Sequence, residues 1–204
     1  MAIMTPPEPL SEEKIEEFRS RLTAVATRLF AEHGYEGVTL RAIASELGCS
    51  PMTPYRYFRD KGEIFAAVRA AAYGRFTDTQ NAALEAGGDV VERIRRLGRA
   101  YVAFGIEEPD AYRLMFELGQ PDAEKPPVLL DAELDSWRPL RSVVGEAIAA
   151  GHLVGDPDTL AHVFWVGVHG LVSLHLAGKL NLGKAVDALL DPLLDTLFRG
   201  NARA

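Results

Sequence analysis

Cysteine is almost missing from this chain, since Cys49 is the one cysteine among 204 residues. A single thiol excludes an intrachain disulfide and fits a reducing compartment. No apolar run approaches the roughly 20 residues that a membrane-spanning helix needs, and the first ten residues lack the cationic and apolar parts of a secretory signal. Apolar residues make up 48% and charged residues 25%, as in ordinary folded proteins. We therefore expect a cytoplasmic protein with no membrane partner.

Groupings of residues that would carry catalysis or bind metal are also missing. No nucleophile is paired with a base, and no two carboxylates stand in a credible catalytic arrangement. No cysteine or carboxylate completes a set of metal ligands with the histidines at ligand spacing; the histidines are His33, His152, His162, His169 and His175. We expect neither an enzyme nor a bound metal or other cofactor. His169 and His175 lie in an apolar segment, where each is either a core residue or a polar anchor in a ligand cavity.

The charge of the chain is acidic overall but unevenly distributed. The net formal charge is −7. Residues 77–204 hold 12 Lys and Arg against 19 Asp and Glu, whereas the stretch from Arg41 to Arg75 holds six cations against three acids. A local basic excess of this kind suits a polyanionic partner such as nucleic acid.

Helical periodicity extends over nearly the whole chain. Apolar residues recur at steps of three and four in three clear stripes: Ile15, Phe18, Leu22, Val25 and Leu29; Val90, Ile94, Leu97, Tyr101 and Phe104; and Leu130, Leu134, Trp137, Leu140 or Arg141, Val144 and Ile148. Short helical patterns fall at residues 39–47 and 110–118, and two further helical patterns fall at 157–178 and 182–198. No strand alternation of useful length is present, so the sequence predicts an all-α protein with about nine helices.

The stretch CSPMTPYRYFRDKGEIF, residues 49–65, is dense in both aromatic and cationic side chains. Gly48-Cys49-Ser50 is short enough to turn the chain between two helices. The second helix either begins at Ser50-Pro51 and tolerates Pro54 in its first turn, or begins at Pro54 with Thr53 as its cap. Asp60 to Glu63 then form a capping box for a further helix.

Two short helices joined by a tight turn, after a longer helix, make a helix-turn-helix, whose second helix enters the DNA major groove. Phe58 would belong to the small core behind it. Met52, Thr53, Arg56 and Pro54 would face base edges. Tyr55, Tyr57 and Lys61 would reach phosphate oxygens.

The stretch TLRAIASELGCSPMTPYRYFRDKGEIF resembles the DNA-binding domain of the TetR family of repressors. The matching positions are Thr39-x-Arg41-x-Ile43-Ala44, Gly48-x-Ser50, Thr53-x-Tyr55-x-Tyr57-Phe58 and Lys61, with Phe30-x4-Tyr35 and Gly37 before them. The resemblance implies phosphate contacts from Thr39, Tyr55 and Lys61 and base contacts from Arg41. Pro54 stands where the family usually has Leu or Ile. The full DNA-binding set is Thr39, Arg41, Ser50, Met52, Thr53, Tyr55, Arg56, Tyr57 and Lys61.

The second half also resembles one branch of this family. Trp165-x3-His169-Gly170 is similar to the Trp-His-Gly pattern of a class of TetR C-terminal domains, and residues 101–119 fit the same branch. We expect an effector cavity lined by residues from four helical segments: Tyr101, Phe104, Met115, Phe116, Trp137, Trp165 and His169. Such a set predicts a largely apolar effector with one or two polar atoms. A filled core is the alternative for each residue.

The resemblance also implies domain organisation and function. We expect a helix-turn-helix domain at residues 11–60, a connecting helix at 61–76, and a ligand-binding and dimerisation domain at 77–200, with a hinge within 77–88. The last two helices would form the homodimer seam. The expected function is a repressor that binds a palindromic operator on double-stranded DNA and is released by a small molecule. A transcriptional activator with the same DNA reader is the alternative, followed by an all-α enzyme.

Overall fold

The computed structural model describes residues 12–119 and 125–202. Within those ranges the regular structure is entirely helical, which confirms the predicted all-α class. The elements are α1 (Glu12–Gly37), α2 (Leu40–Glu46), a 3-10 turn (Pro54–Arg56), α3 (Lys61–Glu85), α4 (Val90–Glu107), α5 (Pro109–Phe116), α6 (Pro127–Ala149), α7 (Pro157–Leu176) and α8 (Val186–Asn201).

The N-terminal core is formed by α1, α2 and the first half of α3. Leu22 and Phe30 of α1, Ile43 of α2 and Phe65 of α3 are all fully buried in it. Phe58, just after the 3-10 turn, packs in the same core, as the sequence predicts. Burial of these side chains fixes the angle between α1 and α2, and that angle positions the short turn that follows them.

The helix α3 is longer than the sequence suggests. The predicted hinge at residues 77–88 is wrong for most of its length, because the chain stays helical through Glu85. The segment 77–85 contains neither Gly nor Pro, and the helix ends only before Gly87 and Gly88, which have φ of 70° and 94°. One rigid helix therefore runs from the N-terminal core deep into the C-terminal half.

The C-terminal core lies between α3, α4, α6, α7 and α8. The predicted stripe on α4 is confirmed, since Ile94, Leu97, Tyr101 and Phe104 are buried. The predicted stripe on α6 is confirmed in its C-terminal part, where Val144 is buried and Trp137, Leu140 and Ile148 pack against the core. Its N-terminal members Leu130 and Leu134 are 43% and 56% exposed, and the buried positions are Leu129, Val143, Val144 and Ala147. The helix is apolar on neighbouring positions, so periodicity alone does not fix its rotation.

The helix α7 has an unburied apolar face. In the described part of the chain, it alone has the length and composition to cross a membrane, with a mean hydropathy of 1.3, a test that core helices of soluble proteins also pass. It packs on α4, α6 and α8, yet only 33% of its most apolar 18-residue window is buried. Val163, Val166 and Leu174 remain exposed on it.

Candidate nucleic-acid interface and ligand cavity

The start of α2 is capped by a residue of the predicted DNA-binding set. The Oγ1 of Thr39 accepts a hydrogen bond from the backbone N–H of Ala42 at 3.1 Å, an N-cap arrangement. Arg41 follows on the exposed side of the helix. Both residues therefore lie on the outer surface of the N-terminal bundle, where a large partner has access to them.

The predicted recognition helix is a single 3-10 turn, Pro54–Arg56. The start at Pro54 agrees with the second of the two predicted alternatives, although the Thr53 side chain makes no capping bond. Pro54 is buried, so the expectation that it faces base edges is wrong. Met52 and Tyr55 are instead the large exposed side chains here, at 67% and 51%. Arg56 is exposed beside them.

The turn is braced from behind by α1. The ring of Tyr57 stacks on Phe18, with ring centroids 4.4 Å apart. Arg19 donates a hydrogen bond from Nη2 to the carbonyl oxygen of Tyr57 at 3.4 Å and lies 5.2 Å from the centre of the Phe58 ring. These contacts hold a short element that has few backbone hydrogen bonds of its own.

The start of α3 confirms the Asp60 half of the predicted capping box, while Glu63 reaches one residue further back than the motif requires. Asp60 accepts a bond from the Glu63 N–H at 2.8 Å, and Glu63 Oε2 accepts one from the Arg59 N–H at 2.6 Å. Lys61, a predicted phosphate contact, is partly engaged within the protein. Its Nζ donates to the carbonyl oxygen of Tyr35 at 2.8 Å and lies 4.2 Å from the centre of that ring.

A cavity of about 420 Å³ lies in the C-terminal half, within the usual size range of small-molecule sites. Its wall is mainly apolar and aromatic and comes from α3 to α8, with Lys125 just before α6. The lining residues are Arg69, Tyr73, Phe76, Gln80, Ile94, Leu97, Gly98, Tyr101, Met115, Phe116, Lys125, Glu133, Ser136, Trp137, Leu140, His162, Phe164, Trp165, Val168 and Leu194.

One end of the cavity carries charge. Arg69 is only 7% exposed. Its Nε donates to the carbonyl oxygen of Leu114 at 2.9 Å. Its Nη2 lies 3.4 Å from the carbonyl oxygen of Met115 and 3.3 Å from Oε1 of Glu133. Glu133 also accepts from Lys125 Nζ at 2.7 and 2.9 Å. Nearby, burial raises the pKa of Tyr73 to about 12, so its phenol stays a neutral donor.

A second polar cluster lies behind the wall and joins α4, α5 and α7. Nδ1 of His169 is 2.9 Å from the hydroxyl of Tyr101 and 2.7 Å from that of Tyr112. Trp165 donates from Nε1 to the Tyr101 hydroxyl at 3.2 Å, and Ser173 lies 3.2 Å from the Tyr112 hydroxyl. Burial raises the pKa of both tyrosines and lowers that of His169, so the cluster is uncharged at neutral pH.

The helix α5 belongs to both halves of the molecule. Leu114 is fully buried in the N-terminal core, and the next residue, Met115, is buried in the C-terminal core and lines the cavity. Arg69 bonds both of their carbonyl oxygens. The short helix α5 therefore joins the packing of the N-terminal core to the wall of the cavity.

Two family sequence models match the chain, and together they cover most of it. One, described as bacterial regulatory proteins of the tetR family, matches residues 22–68. The other, described as a tetracyclin repressor-like C-terminal domain, matches residues 94–197, which is half of the chain. The chain belongs to the TetR family. It is a helix-turn-helix transcriptional regulator.

Two sequence relatives and one solved structure are similar to this chain over different extents. HTH-type transcriptional regulator Rv1816 of Mycobacterium tuberculosis is 24% identical, over 87% of this chain and 86% of its own length. The transcriptional activator FasR of Mycolicibacterium smegmatis is 28% identical over 50% of this chain and 47% of its own. A solved structure of a protein of unknown function from Rhodococcus sp. RHA1 superposes with a TM-score of 0.82, 28% identity, and coverage of 97% and 100%. Both named sequence relatives are transcriptional regulators and not enzymes.

The predicted cavity residues of this TetR protein are mostly brought together. Tyr101, Met115, Phe116, Trp137 and Trp165 line the cavity. Two predicted members do not line it. Phe104 is buried against Phe76, with ring centroids 5.2 Å apart, and His169 bonds the back of the wall through Tyr101 and Tyr112.

The sequence analysis missed the contribution of α3. Arg69, Tyr73, Phe76 and Gln80 line one side of the cavity, and they follow steps of four, three and four along one helix face. That spacing can be read from the sequence, but the hinge predicted at residues 77–88 separated Gln80 from the other three residues. Within the described ranges, no three histidine, cysteine or carboxylate side chains converge as metal ligands. The Trp-His-Gly subtype stays a prediction.

Proposed function

We propose that this TetR-family regulator is a homodimeric repressor that binds a palindromic operator and is released from it by a largely apolar small molecule. The observation that carries the proposal is the position of α5. Its Leu114 packs in the core behind the DNA reader, and its Met115 lines the cavity. A single short helix thus contacts both of the sites that a ligand-responsive repressor has to couple.

DNA binding is assigned to the exposed surface around the 3-10 turn. Arg56 would read guanine, and Met52 and Thr53 would contact thymine methyl groups. Thr39, Tyr55, Tyr57 and Lys61 would bind phosphate oxygens, with Arg41 and Ser50 beside them. The proposal is supported by the exposure of Met52, Tyr55 and Arg56 in a segment where apolar side chains otherwise face the core.

Dimerisation is assigned to α7 and α8. The exposed apolar side chains Val163, Val166 and Leu174 recur along α7, and a second copy would cover them. A methyl group in place of the Gly170 hydrogen would have no atom within 4 Å, which leaves room for a partner helix, whereas one at Gly167 would lie only 2.9 Å from Leu197 of α8. Two-fold symmetry would place the readers about 34 Å apart or wider, on successive half-sites.

Occupancy of the cavity would release the protein from its operator if the ligand-bound and ligand-free dimers hold their two DNA readers at different half-site spacings. A ligand shifts the population toward one form only if it binds that form more tightly. Met115 of α5 lines the cavity and the neighbouring Leu114 packs in the N-terminal core, so occupancy of the cavity would favour one arrangement of α5 against that core. A regulator of this kind acts in the cytoplasm, where its DNA is.

A transcriptional activator with the same DNA reader is the alternative, and the relative FasR is named as an activator. Selection of bound duplexes from a random pool by the purified protein tests the common part of both proposals. We expect enrichment of a palindrome bound by two protomers. Enrichment of no sequence, or one protomer on an asymmetric site, would contradict the dimeric-reader proposal. A reporter driven by the selected site, with and without the gene, separates repression from activation.

A further inference from the structure

We infer that the effector is a single-chain amphiphile with a monoanionic headgroup, best represented by a carboxylate, and that Arg69 binds that headgroup inside the cavity. The inference deepens the proposed effector site and rests on the proposed function. It replaces the sequence-based expectation of a ligand with one or two unspecified polar atoms.

The first support is an incomplete set of partners on a buried cation. Arg69 is 7% exposed. Its Nε and Nη2 are bonded to Leu114, Met115 and Glu133. None of the described residues accepts a hydrogen bond from Nη1. Every fully buried side-chain nitrogen in the described residues has a partner, so Nη1 is not fully buried. Arg69 is one of the residues that line the cavity, and a ligand group there is the partner that we infer for Nη1.

The second support is the sign of the local charge. Among the described residues that line the cavity, Arg69 and Lys125 are two cations at this end and Glu133 is the one carboxylate paired with them. One positive charge is therefore left over. Glu133 already accepts bonds from both cations, so a cationic ligand finds no free partner there. A guanidinium has donors and no acceptor, which favours a ligand group that only accepts.

The third support is the apolar character of the rest of the cavity. Arg69 and Gln80 are both on α3, and the eleven-residue separation corresponds to about 16 Å along a helix. The wall also contains the apolar side chains of Ile94, Leu97 and Leu194, and the Gln80 amide is already bonded to the Ser136 carbonyl oxygen at 3.1 Å. A headgroup at Arg69 therefore directs an apolar tail along α3.

Tryptophan fluorescence provides a direct binding assay. The chain has two tryptophans, and both Trp137 and Trp165 line the cavity. Titration of the full-length protein with decanoate, 1-decanol and decylamine at neutral pH compares one tail with three headgroups. We expect decanoate to bind roughly 10- to 100-fold more tightly than decanol, as for a hydrogen bond between charged groups, and decylamine to bind most weakly.

Two substitutions change the headgroup preference in opposite directions. Arg69→Met should abolish the preference for decanoate. Glu133→Gln removes the competing carboxylate and should raise the affinity for decanoate about tenfold, a gain that a damaged fold would not produce. Arg113→Ala, an exposed cation on α5 that does not line the cavity, is the matched control and should leave all three affinities unchanged.

The contradicting results are equally specific. Equal affinities for decanoate and decanol, an unchanged affinity in Glu133→Gln, or no response to any carboxylate from hexanoate to tetradecanoate would overturn the inference. If Arg69→Met loses its helical circular dichroism, the Glu133→Gln result decides. Operator release is scored separately. If decanol releases the operator as well as decanoate does, the proposed function is kept and the anionic headgroup is rejected. If decanoate binds without releasing the operator, the anionic headgroup is kept and the proposed function is rejected.

Discussion

The Tyr57 hydroxyl provides the sharpest test of the DNA-reading surface. The Tyr57 ring has a structural role, since it stacks on Phe18 with an interplanar angle of 26°. Its hydroxyl has no hydrogen-bond partner among the described residues. Tyr57→Phe therefore removes the proposed phosphate contact and keeps the bracing ring.

The magnitude follows from the kind of bond that is lost. A hydrogen bond to a charged group is worth about 1.5 to 3 kcal/mol, so operator affinity should fall by about tenfold or more. The thermal midpoint should stay at the parental value, because no buried contact changes. The salt dependence of binding should also stay the same, because a neutral phenol releases no counterion from DNA.

The assay is fluorescence anisotropy on the selected duplex at several salt concentrations, with melting curves of the same preparations. Phe18→Ala is the matched control. It keeps the hydroxyl and removes the ring behind it, so it should lower both the melting temperature and the affinity, since an aromatic pair contributes about 0.5 to 1.5 kcal/mol beyond its buried area. Parental affinity in Tyr57→Phe would refute the phosphate contact and leave Tyr57 a packing residue.

Three further predictions concern base readout, phosphate binding and pH. Arg56→Ala should relax base preference at one operator position at a cost of about 1 to 3 kcal/mol; an unchanged ratio of operator to scrambled-DNA affinity would exclude direct readout. Lys61→Ala should reduce the slope of operator affinity against salt concentration by about one. It should also lower the melting temperature, because Nζ bonds the Tyr35 carbonyl oxygen; an unchanged slope would leave Lys61 with only this structural role. Burial holds the pKa of His169 below its ordinary 6.5. Below about pH 6.5 the unfolded chain therefore binds more protons than the folded protein, and the free energy of unfolding should fall as the pH drops. Melting curves of His169→Gln should lose part of that pH dependence, and a parental dependence would contradict the assignment.

Much of the fold was predictable from the sequence because local signals agree with the tertiary structure. Thr39 caps α2, Asp60 caps α3, and the apolar stripe on α4 is the buried one. Each of these depends on neighbours within a few residues. The TetR resemblance added the pairing of a helix-turn-helix with a ligand-binding half.

The errors arise where tertiary contacts override local patterns. The rotation of α6 is set by packing against α3 and α7, which leaves Leu134 exposed and buries Val143. Pro54 is buried because it lies at the base of a 3-10 turn. The pair of prolines at positions 51 and 54 did not predict that geometry. The charged end of the cavity joins Arg69 to Glu133, 64 positions apart, and no sequence spacing reports such a pair.

The most direct test of the account is the affinity of the purified protein for its selected duplex as salt is raised. The account predicts a dimer on the duplex, an affinity that falls steeply and linearly on a double-logarithmic plot against salt, and a preference over scrambled DNA that Arg56→Ala reduces. A protein that shows no salt-sensitive affinity for any double-stranded oligonucleotide would contradict it.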